Sequence, residues 1–240
     1  MIRDQETINA LVDIIERFVR ERLIPAEDQM AEEGKLPDDL LQEMRELGLF
    51  GLTIPEEYGG LGLTMEEEIL VSMALGHTSP AFRSIMGTNN GIGSAAIVFN
   101  GTEAQKQKYL PKYASGEWIS CFCLTEPEAG SDAASLRTTA RREGDHYVIN
   151  GTKRYITNAP VAHTFNVMAR TDPEVKGARG ISSFIVERDT PGITLGSIDK
   201  KMGQSGSMTC DVIFEDVRVP AENIIGEVGE GFITAMKVLD

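Results

Sequence analysis

At residues 118–132 the chain reads WISCFCLTEPEAGSD, and its pattern changes there. Upstream of this segment, apolar residues recur at three- and four-residue steps, which predicts amphipathic helices. Downstream, short runs rich in β-branched and aromatic residues predict strands. The segment itself has the pattern of a strand that runs into a loop containing proline and glycine. We therefore expect a helical N-terminal part joined to a β-rich part near residue 118.

Two helix starts in the first part have a recognisable local signal. Thr64 and Glu67 have the three-residue spacing of a capping box, and Thr102 and Gln105 repeat it. In such a box each side chain binds the other residue's backbone N–H, so both spacings predict a helix that begins just after the threonine. Pro111 is expected to close the helix that follows Thr102, because proline removes a backbone donor.

Two further predictions depend on glycine. Residues 81–99 are rich in Gly, Ala and Ser, and we interpret them as one tightly packed helix, which Gly87, Gly91 and Gly93 weaken. Asn150-Gly151 is the strongest hairpin signal in the chain, because both positions of the matching two-residue turn need a positive φ. The sequence therefore predicts one helix before residue 100 and a tight turn between two strands at residue 150.

Seven short runs in the second half are predicted as strands, and turn signals separate them. This pattern is typical of an antiparallel barrel or sandwich, so the expected fold class is α+β: a helical domain, then an antiparallel β-barrel domain. After the last strand a glycine-rich connection leads into FITAMKVLD, the opening of a further helix. The predicted domains are 1–117 (helical), 118–222 (β-barrel) and 223–240 (linker and start of a truncated C-terminal helical domain). The strand runs are WISCFCL (118–124), HYVI (146–149), TKRYIT (152–157), TFNVMA (164–169), ISSFIVE (181–187), ITLGSI (193–198) and CDVIF (210–214).

Composition and charge exclude several classes of protein. The 240 residues carry 23 Lys and Arg against 37 Asp and Glu, a formal net charge of −14, which has the wrong sign for a nucleic-acid partner. No apolar run approaches the roughly 18 residues that would predict a membrane span. The N-terminus has neither a signal-peptide nor a transit-peptide pattern, so we expect a cytoplasmic protein. Its cysteines, Cys121, Cys123 and Cys210, are then expected to be reduced thiols, and no metal site is expected.

The chemistry-bearing residues fall in two stretches. The loop after Thr125 offers free backbone N–H groups and the hydroxyl of Ser131, which could hold a phosphate; an ordinary tight loop is the alternative. Along the strand 152–157, alternation places Tyr155 and Thr157 on one face, where one could stack on a planar ring and the other could hydrogen-bond its edge. An ordinary barrel strand is again the alternative.

Taken together, six stretches resemble the acyl-CoA dehydrogenase family in order and spacing, and the resemblance covers almost the whole chain. It implies a helical N-terminal domain, a β-barrel middle domain and a second helical domain, with FAD between the barrel and that last domain. It also implies oxidation of acyl-CoA thioesters in fatty-acid β-oxidation, an electron-transferring flavoprotein as partner, and a homotetramer or dimer. The matching stretches are IPEEYGGLGL (54–63), LTEPEAGSD (124–132), INGTKRYITNA (149–159), FIVERDTPG (184–192), IFEDVRVPAENIIGEVGEGF (213–232) and AMKVLD (235–240).

The resemblance also implies residue roles. Thr125 would hydrogen-bond the pyrimidine edge of the flavin, and Thr157 would hydrogen-bond N5, the hydride acceptor. Gly130 and Ser131 would meet the FAD pyrophosphate, and Ser131 would also touch CoA. Tyr155 stands where the family often has Trp, and Glu128 where it often has Gly, so the Glu128 carboxylate is expected to point away from the pyrophosphate. The full expected cofactor set is Phe122, Leu124, Thr125, Gly130, Ser131, Tyr155, Ile156 and Thr157.

The catalytic base implied by the resemblance is a Glu beyond the end of this chain, so no catalytic residue is assigned here. Asp240 matches the Asp of the family's D-x-x-R substrate motif, whose Arg would also lie further on. Glu126 is not the family's base. The 240 residues alone are therefore expected to be inactive. The alternatives are a flavin oxidase or monooxygenase of the same fold, or a non-catalytic fragment that acts as an assembly partner.

Overall fold

A computed structural model describes residues 2–175 and 177–239, so Asp240 lies outside the described residues. A helical part is followed by a mixed β-sheet and then by the start of another helix, which confirms the predicted fold class. The helices are α1 (Gln5–Phe18), α2 (Glu27–Glu33), α3 (Asp38–Glu46), α4 (Met65–Leu75), α5 (Pro80–Thr88), α6 (Ala95–Asn100), α7 (Glu103–Ala114) and α8 (Gly231–Leu239). The strands are β1 (Ser120–Cys123), β2 (Thr139–Glu143), β3 (His146–Thr157), β4 (Thr164–Arg170), β5 (Ile181–Glu187), β6 (Ile193–Leu195), β7 (Thr209–Pro220) and β8 (Ile224–Ile225).

Both predicted capping boxes form. Thr64 caps α4 and Thr102 caps α7, each with the reciprocal side-chain and backbone hydrogen bonds of the motif. The prediction that Pro111 ends its helix is wrong, because α7 continues through it to Ala114. The last turn is held by buried side chains on either side of the proline, among them Tyr109 and Tyr113. Their packing outweighs the backbone hydrogen bond that the proline removes.

Residues 81–99 form two helices rather than one. A π-helical turn at Asn89–Gly93 separates α5 from α6. The buried amide of Asn89 donates to the carbonyl of Tyr113 at 3.1 Å and accepts from the backbone N–H of Ser120 at 2.9 Å. The turn thus ties the helical part to the first residue of β1, and a glycine-rich segment can adopt it because glycine weakens a regular helix.

The sheet has the strand order β6-β7-β3-β2-β4-β5-β8, and β1 lies beside β4. Most pairings are antiparallel as predicted, but β1 and β2 each pair with β4 in parallel. Side chains from β1, β3, β4, β5 and β7 pack into one core, so the sheet curls around it. The three cysteines are free thiols in this core, and the sulfurs of Cys121 and Cys123 lie 3.9 Å apart.

The predicted hairpin at Asn150-Gly151 is wrong. Both residues lie inside the single strand β3, which pairs with β7 on either side of them. The register shifts between Ile149 and Gly151, and the Asn150 side chain exchanges hydrogen bonds with Asp216 on β7 at 3.0 and 2.9 Å. A Cβ on Gly151 would lie 2.7 Å from the Cα of Thr138, so glycine is needed here for close backbone approach rather than for a turn.

Among the described residues, no helix is long and apolar enough to cross a membrane.

A buried carboxylate, that of Glu67, fixes the N-terminal segment to α4. Glu67 accepts a hydrogen bond from the backbone N–H of Arg3 at 2.8 Å and from that of Thr64 at 2.8 Å. These two bonds hold the pKa of Glu67 at about 2, although burial opposes them.

We expect Glu67→Gln to lower the melting temperature at pH 7 and to lose that effect in acid. The folded pKa lies below the unfolded value of roughly 4.3, so the ionised carboxylate stabilises the fold above about pH 4 and ceases to do so as the pH falls towards 2. Thermal melts of both proteins between pH 7 and pH 3 measure the difference. Glu32→Gln, which changes an exposed carboxylate on α2, is the control. A difference in melting temperature that stays constant from pH 7 to pH 3 would contradict the low pKa of Glu67.

Candidate functional site

The site is built where the end of β1, the loop after it and the end of β3 meet. The backbone N–H of Arg154 donates to the carbonyl of Thr125 at 2.8 Å. The ammonium of Lys153 donates to the carbonyl of Leu124 at 3.1 Å. The two stretches that carry the predicted cofactor residues are therefore neighbours in the fold.

A bulge shapes the end of β3. Lys153 is opposite Val212 and Ile156 is opposite Cys210, so β3 has one more residue than β7 across this step. Tyr155 lies in the bulge with φ 58° and is 60% exposed. Ile156 packs inside the barrel core, which leaves Tyr155 and Thr157 outside that core.

Residues with strained backbone lie at the end of β3 and in the segment that joins β6 to β7. Tyr155, Asn158 and Gln204 have positive φ values of 58°, 68° and 54° without being glycines. For a bulky residue such as Tyr this conformation is unfavourable, and it tends to persist where the surrounding structure or a function requires it. Asn158 is buried, and its amide donates to the carbonyl of Ile85 on α5 at 2.9 Å, which ties the end of β3 to the helical part.

A cavity of about 460 Å³ lies beside Thr157, between α5, β3 and the segment that joins β6 to β7. Its lining is polar. Ser84 donates to the Oε1 atom of Gln204 at 2.8 Å, which connects α5 with that segment. The lining residues are Ser84, Thr88, Thr157, Lys201, Gly203, Gln204, Ser207 and Thr209.

Three of the predicted cofactor residues offer unused hydroxyls. Within the described residues, the hydroxyls of Thr125, Ser131 and Thr157 make no hydrogen bond to the protein. Thr125 and Thr157 are half-buried and Ser131 is exposed. Such a donor set fits a ligand that has a heterocyclic edge at one end and phosphates at the other, as FAD does.

The loop that carries Gly130 and Ser131 begins with a closed turn, in which Glu126 and Ala129 exchange backbone hydrogen bonds of 3.0 and 3.2 Å. The backbone of Gly130 lies outside the left-handed region, so positive φ is not its reason for being glycine. A Cβ there would meet no atom within 4 Å, which leaves the peptide open to an approaching phosphate. Glu128 forms an ion pair with the exposed Arg137.

Glu126 and Lys153 form a buried ion pair beneath these segments, with 2.7 Å between Nζ and Oε1. Burial raises the pKa of Glu126, but the Lys153 charge and hydrogen bonds outweigh that effect and lower it. Burial also lowers the pKa of Lys153, and Glu126 opposes this change. The Glu126 carboxylate is thus ionised, and both of its oxygens accept hydrogen bonds from the protein.

The remaining predicted residues have different positions. Leu124 and Ile156 are both buried, Ile156 in the barrel core and Leu124 in a cluster beside α8. Phe122 is half-buried and packs in one cluster with Phe232 and Met236 of α8. Sequence reasoning did not identify the cavity residues of α5, because nothing local relates them to a strand some seventy residues further on.

Comparison with known proteins identifies the family. Residues 5–117 match the family model of the acyl-CoA dehydrogenase N-terminal domain, and residues 121–217 match that of the middle domain. The chain therefore belongs to the acyl-CoA dehydrogenase family.

Relatives that are named for different acyl-chain lengths have similar sequence identity to this chain. The very long-chain specific acyl-CoA dehydrogenase of Macaca fascicularis mitochondria is 43% identical over 98% of this chain and 36% of its own length. The short-chain specific enzyme of Clostridium acetobutylicum is 39% identical over 100% of this chain and 62% of its own length. A solved acyl-CoA dehydrogenase from Bacillus anthracis in complex with FAD has a TM-score of 0.89 and 38% identity, covering 99% of this chain and 40% of that one. The chain thus spans between about a third and two thirds of these relatives' lengths.

Proposed function

We propose that this chain provides the helical and β-domains of an FAD-dependent enzyme that removes hydrogen from the α and β carbons of an acyl-CoA thioester. The observation that carries the proposal is the set of unused hydroxyls on Thr125, Ser131 and Thr157, with a cavity beside the last of them. The FAD complex of the Bacillus anthracis relative supports the choice of cofactor.

In the proposed mechanism, bound FAD would supply the hydride acceptor, and a separate electron acceptor would reoxidise it. The Thr125 hydroxyl would bind the pyrimidine edge of the ring and the Thr157 hydroxyl its N5 side. The peptide of Gly130 and the hydroxyl of Ser131 would hold the pyrophosphate, while Ser131 would also meet CoA. Since the reacting carbons must lie next to N5, the thioester end of the substrate would lie at the cavity that Thr157 lines.

The α proton would leave to a glutamate that these 240 residues do not supply. Glu126 cannot serve, because its carboxylate already accepts hydrogen bonds from Lys153 and from the backbone N–H groups of Arg137 and Thr138. Asp240 would contribute to CoA binding as part of the family's D-x-x-R motif. We further propose an electron-transferring flavoprotein as acceptor, a dimer or tetramer, and a place in fatty-acid β-oxidation. A cytoplasmic location stays a prediction, and the macaque relative is named as mitochondrial.

The test is reduction of an artificial dye by the purified natural gene product with FAD and acyl-CoAs of several chain lengths. We expect a yellow protein and acyl-CoA-dependent reduction of the dye. A colourless protein that does not bind FAD and does not reduce dye would overturn the proposal and favour an assembly role. Oxygen consumption as fast as dye reduction would instead favour the oxidase alternative.

The 240-residue chain by itself is expected to bind FAD weakly, to self-associate and to show no acyl-CoA-dependent dye reduction. A positioned base typically contributes 10²–10⁴-fold to such a reaction. Self-association is expected because α6 and α8 expose Phe99, Ile233 and Leu239. Light scattering and the dye assay measure these properties. Robust turnover would mean that the base lies within residues 1–240.

Gly130→Val is expected to weaken FAD binding at least tenfold while the melting temperature of the apo protein stays nearly unchanged. The Cβ of the new side chain would meet no protein atom within 4 Å, but the side chain would cover the peptide that a phosphate must approach. Titration of FAD fluorescence and thermal melts without FAD measure the two effects. Equal losses in both would mean that Gly130 serves only the fold of the loop.

A further inference from the structure

We propose that the buried ion pair between Glu126 and Lys153 is the positioning element that holds the three cofactor-contacting segments in place, so that FAD binding depends on it. The inference rests on the proposed function. Neither residue would touch the cofactor: both act through the backbone groups that they bind.

The pair first joins the end of β1 to β3. Glu126 directly follows Thr125, and Lys153 is two residues before Tyr155. Besides its 2.7 Å contact with Glu126, the Lys153 ammonium donates to the carbonyl of Leu124 at 3.1 Å. The peptides on both sides of Thr125 are therefore held to β3: the one before it by a charged hydrogen bond from Lys153, and the one after it by the backbone bond from Arg154.

The same carboxylate closes the loop that carries Gly130 and Ser131. Its Oε2 atom accepts from the backbone N–H of Arg137 at 2.6 Å, and its Oε1 atom accepts from that of Thr138 at 2.9 Å. The twelve-residue span from Glu126 to Arg137 is thus held at both ends by one side chain. A single buried group therefore fixes the start of the loop, its end and the neighbouring strand.

Stability alone does not explain why charges are buried here. The Lys153 side chain is 0% exposed and that of Glu126 is 5% exposed. Removing two charges from water is unfavourable, and neutral replacements of similar shape often leave a fold equally stable. A Gln and Met pair in their place lacks the hydrogen bond to the Leu124 carbonyl and keeps only one of the two oxygens that accept from the loop N–H groups. We therefore expect the hydrogen bonds of the charged pair to matter for the position of the loop and not for the stability of the core.

The experiment compares the purified natural gene product with its double variant Glu126→Gln/Lys153→Met. The double variant is used because either single change leaves an unpaired buried charge and is itself expected to unfold the protein. The matched control is Arg22→Met/Glu43→Gln, which removes an exposed ion pair of 2.6 Å between α3 and the segment after α1. Three properties are measured: FAD affinity, the absorption spectrum of the flavin at saturation, and amide hydrogen exchange without FAD.

We expect the double variant to bind FAD at least tenfold more weakly than the wild type and to give a flavin spectrum closer to that of free FAD. Its amide exchange should accelerate at residues 126–138, while exchange in α1 and α7 and the melting temperature stay close to the wild-type values. The control should match the wild type in every measurement.

Unchanged FAD affinity and unchanged loop exchange would overturn the proposal. Faster exchange throughout the chain, with a matching loss of melting temperature, would also overturn it, because the pair would then serve only the core. A wild-type protein that binds no FAD would overturn the proposed function and the cofactor role of the pair together. In that case the exchange data still decide whether the pair holds the loop.

Discussion

Thr157→Val is expected to slow the reduction of bound flavin by acyl-CoA about 10- to 100-fold. The lost hydroxyl would be a hydrogen-bond donor to a ring that gains negative charge, and such a bond contributes roughly 1.5–3 kcal/mol. Every 1.4 kcal/mol or so corresponds to a tenfold change in rate. Valine has nearly the shape of threonine, and the Thr157 hydroxyl binds no described protein group, so the fold has no reason to change.

Stopped-flow measurement of flavin reduction separates this effect from cofactor binding, provided that each protein is first saturated with FAD. Thr88→Val is the matched control, because Thr88 lines the same cavity from α5 and undergoes the same change of hydroxyl to methyl. We expect the control to stay within about fivefold of the wild type, since losing an ordinary hydrogen bond costs about 1 kcal/mol. Equal reduction rates in Thr157→Val and the wild type would exclude a Thr157 contact with the reacting edge.

Local signals predicted local structure well. The capping boxes at Thr64 and Thr102 formed, because both partners of each box lie within one helical turn and no distant residue has to cooperate. The β5 strand was predicted with its bounds, since the first six residues of ISSFIVE are apolar or small and all six are buried. Such segments can be identified before any partner is known.

Predictions failed where distant packing decides the backbone. Asn150-Gly151 has a strong hairpin signal, yet β7 pairs with β3 past it and the asparagine binds Asp216, 66 residues away. The β2 strand was not predicted, because TARRE is mostly charged and of its residues only Ala140 is buried. In both cases the decisive partner lies on another strand.

The candidate site, too, has one part that the sequence predicted and one part that it did not. The motif stretches around Thr125, Ser131 and Thr157 stand out in the sequence, and the fold brings them together. The Glu126–Lys153 pair that connects them did not stand out, because a lysine in a strand is normally expected to be exposed. Only the fold reveals that Lys153 lies inside the barrel wall, opposite Val212 and next to the Leu124 carbonyl.

Gly231→Val is expected to lower the melting temperature of the protein by several degrees and to loosen the packing of α8 against Phe122 and Leu124. A Cβ on Gly231 would lie 2.2 Å from the carbonyl carbon of Ser182 and 2.3 Å from the nitrogen of Ser183. These are backbone atoms of β5, so no change of side-chain rotamer can relieve the clash. Overpacking of this kind costs typically 1–3 kcal/mol, and at this chain length each kcal/mol lowers the melting temperature by roughly 2–4 °C.

The functional consequence follows from what α8 covers. Ala235 is fully buried in the cluster that contains Leu124, and Phe232 and Met236 pack there with Phe122. If α8 moves away from β5, the outer side of the 122–124 segment loses this packing. We therefore expect Gly231→Val to bind FAD more weakly than the wild type at temperatures at which both proteins are folded.

Thermal melts and FAD titration check both effects. The control is Gly91→Ala, because a Cβ at Gly91 meets no atom within 4 Å and alanine favours the helical segment around it. The control should melt at or above the wild-type temperature and bind FAD equally well. If Gly231→Val matched this control, α8 could shift without energetic cost, and the position of Phe122 would not depend on how α8 docks against β5.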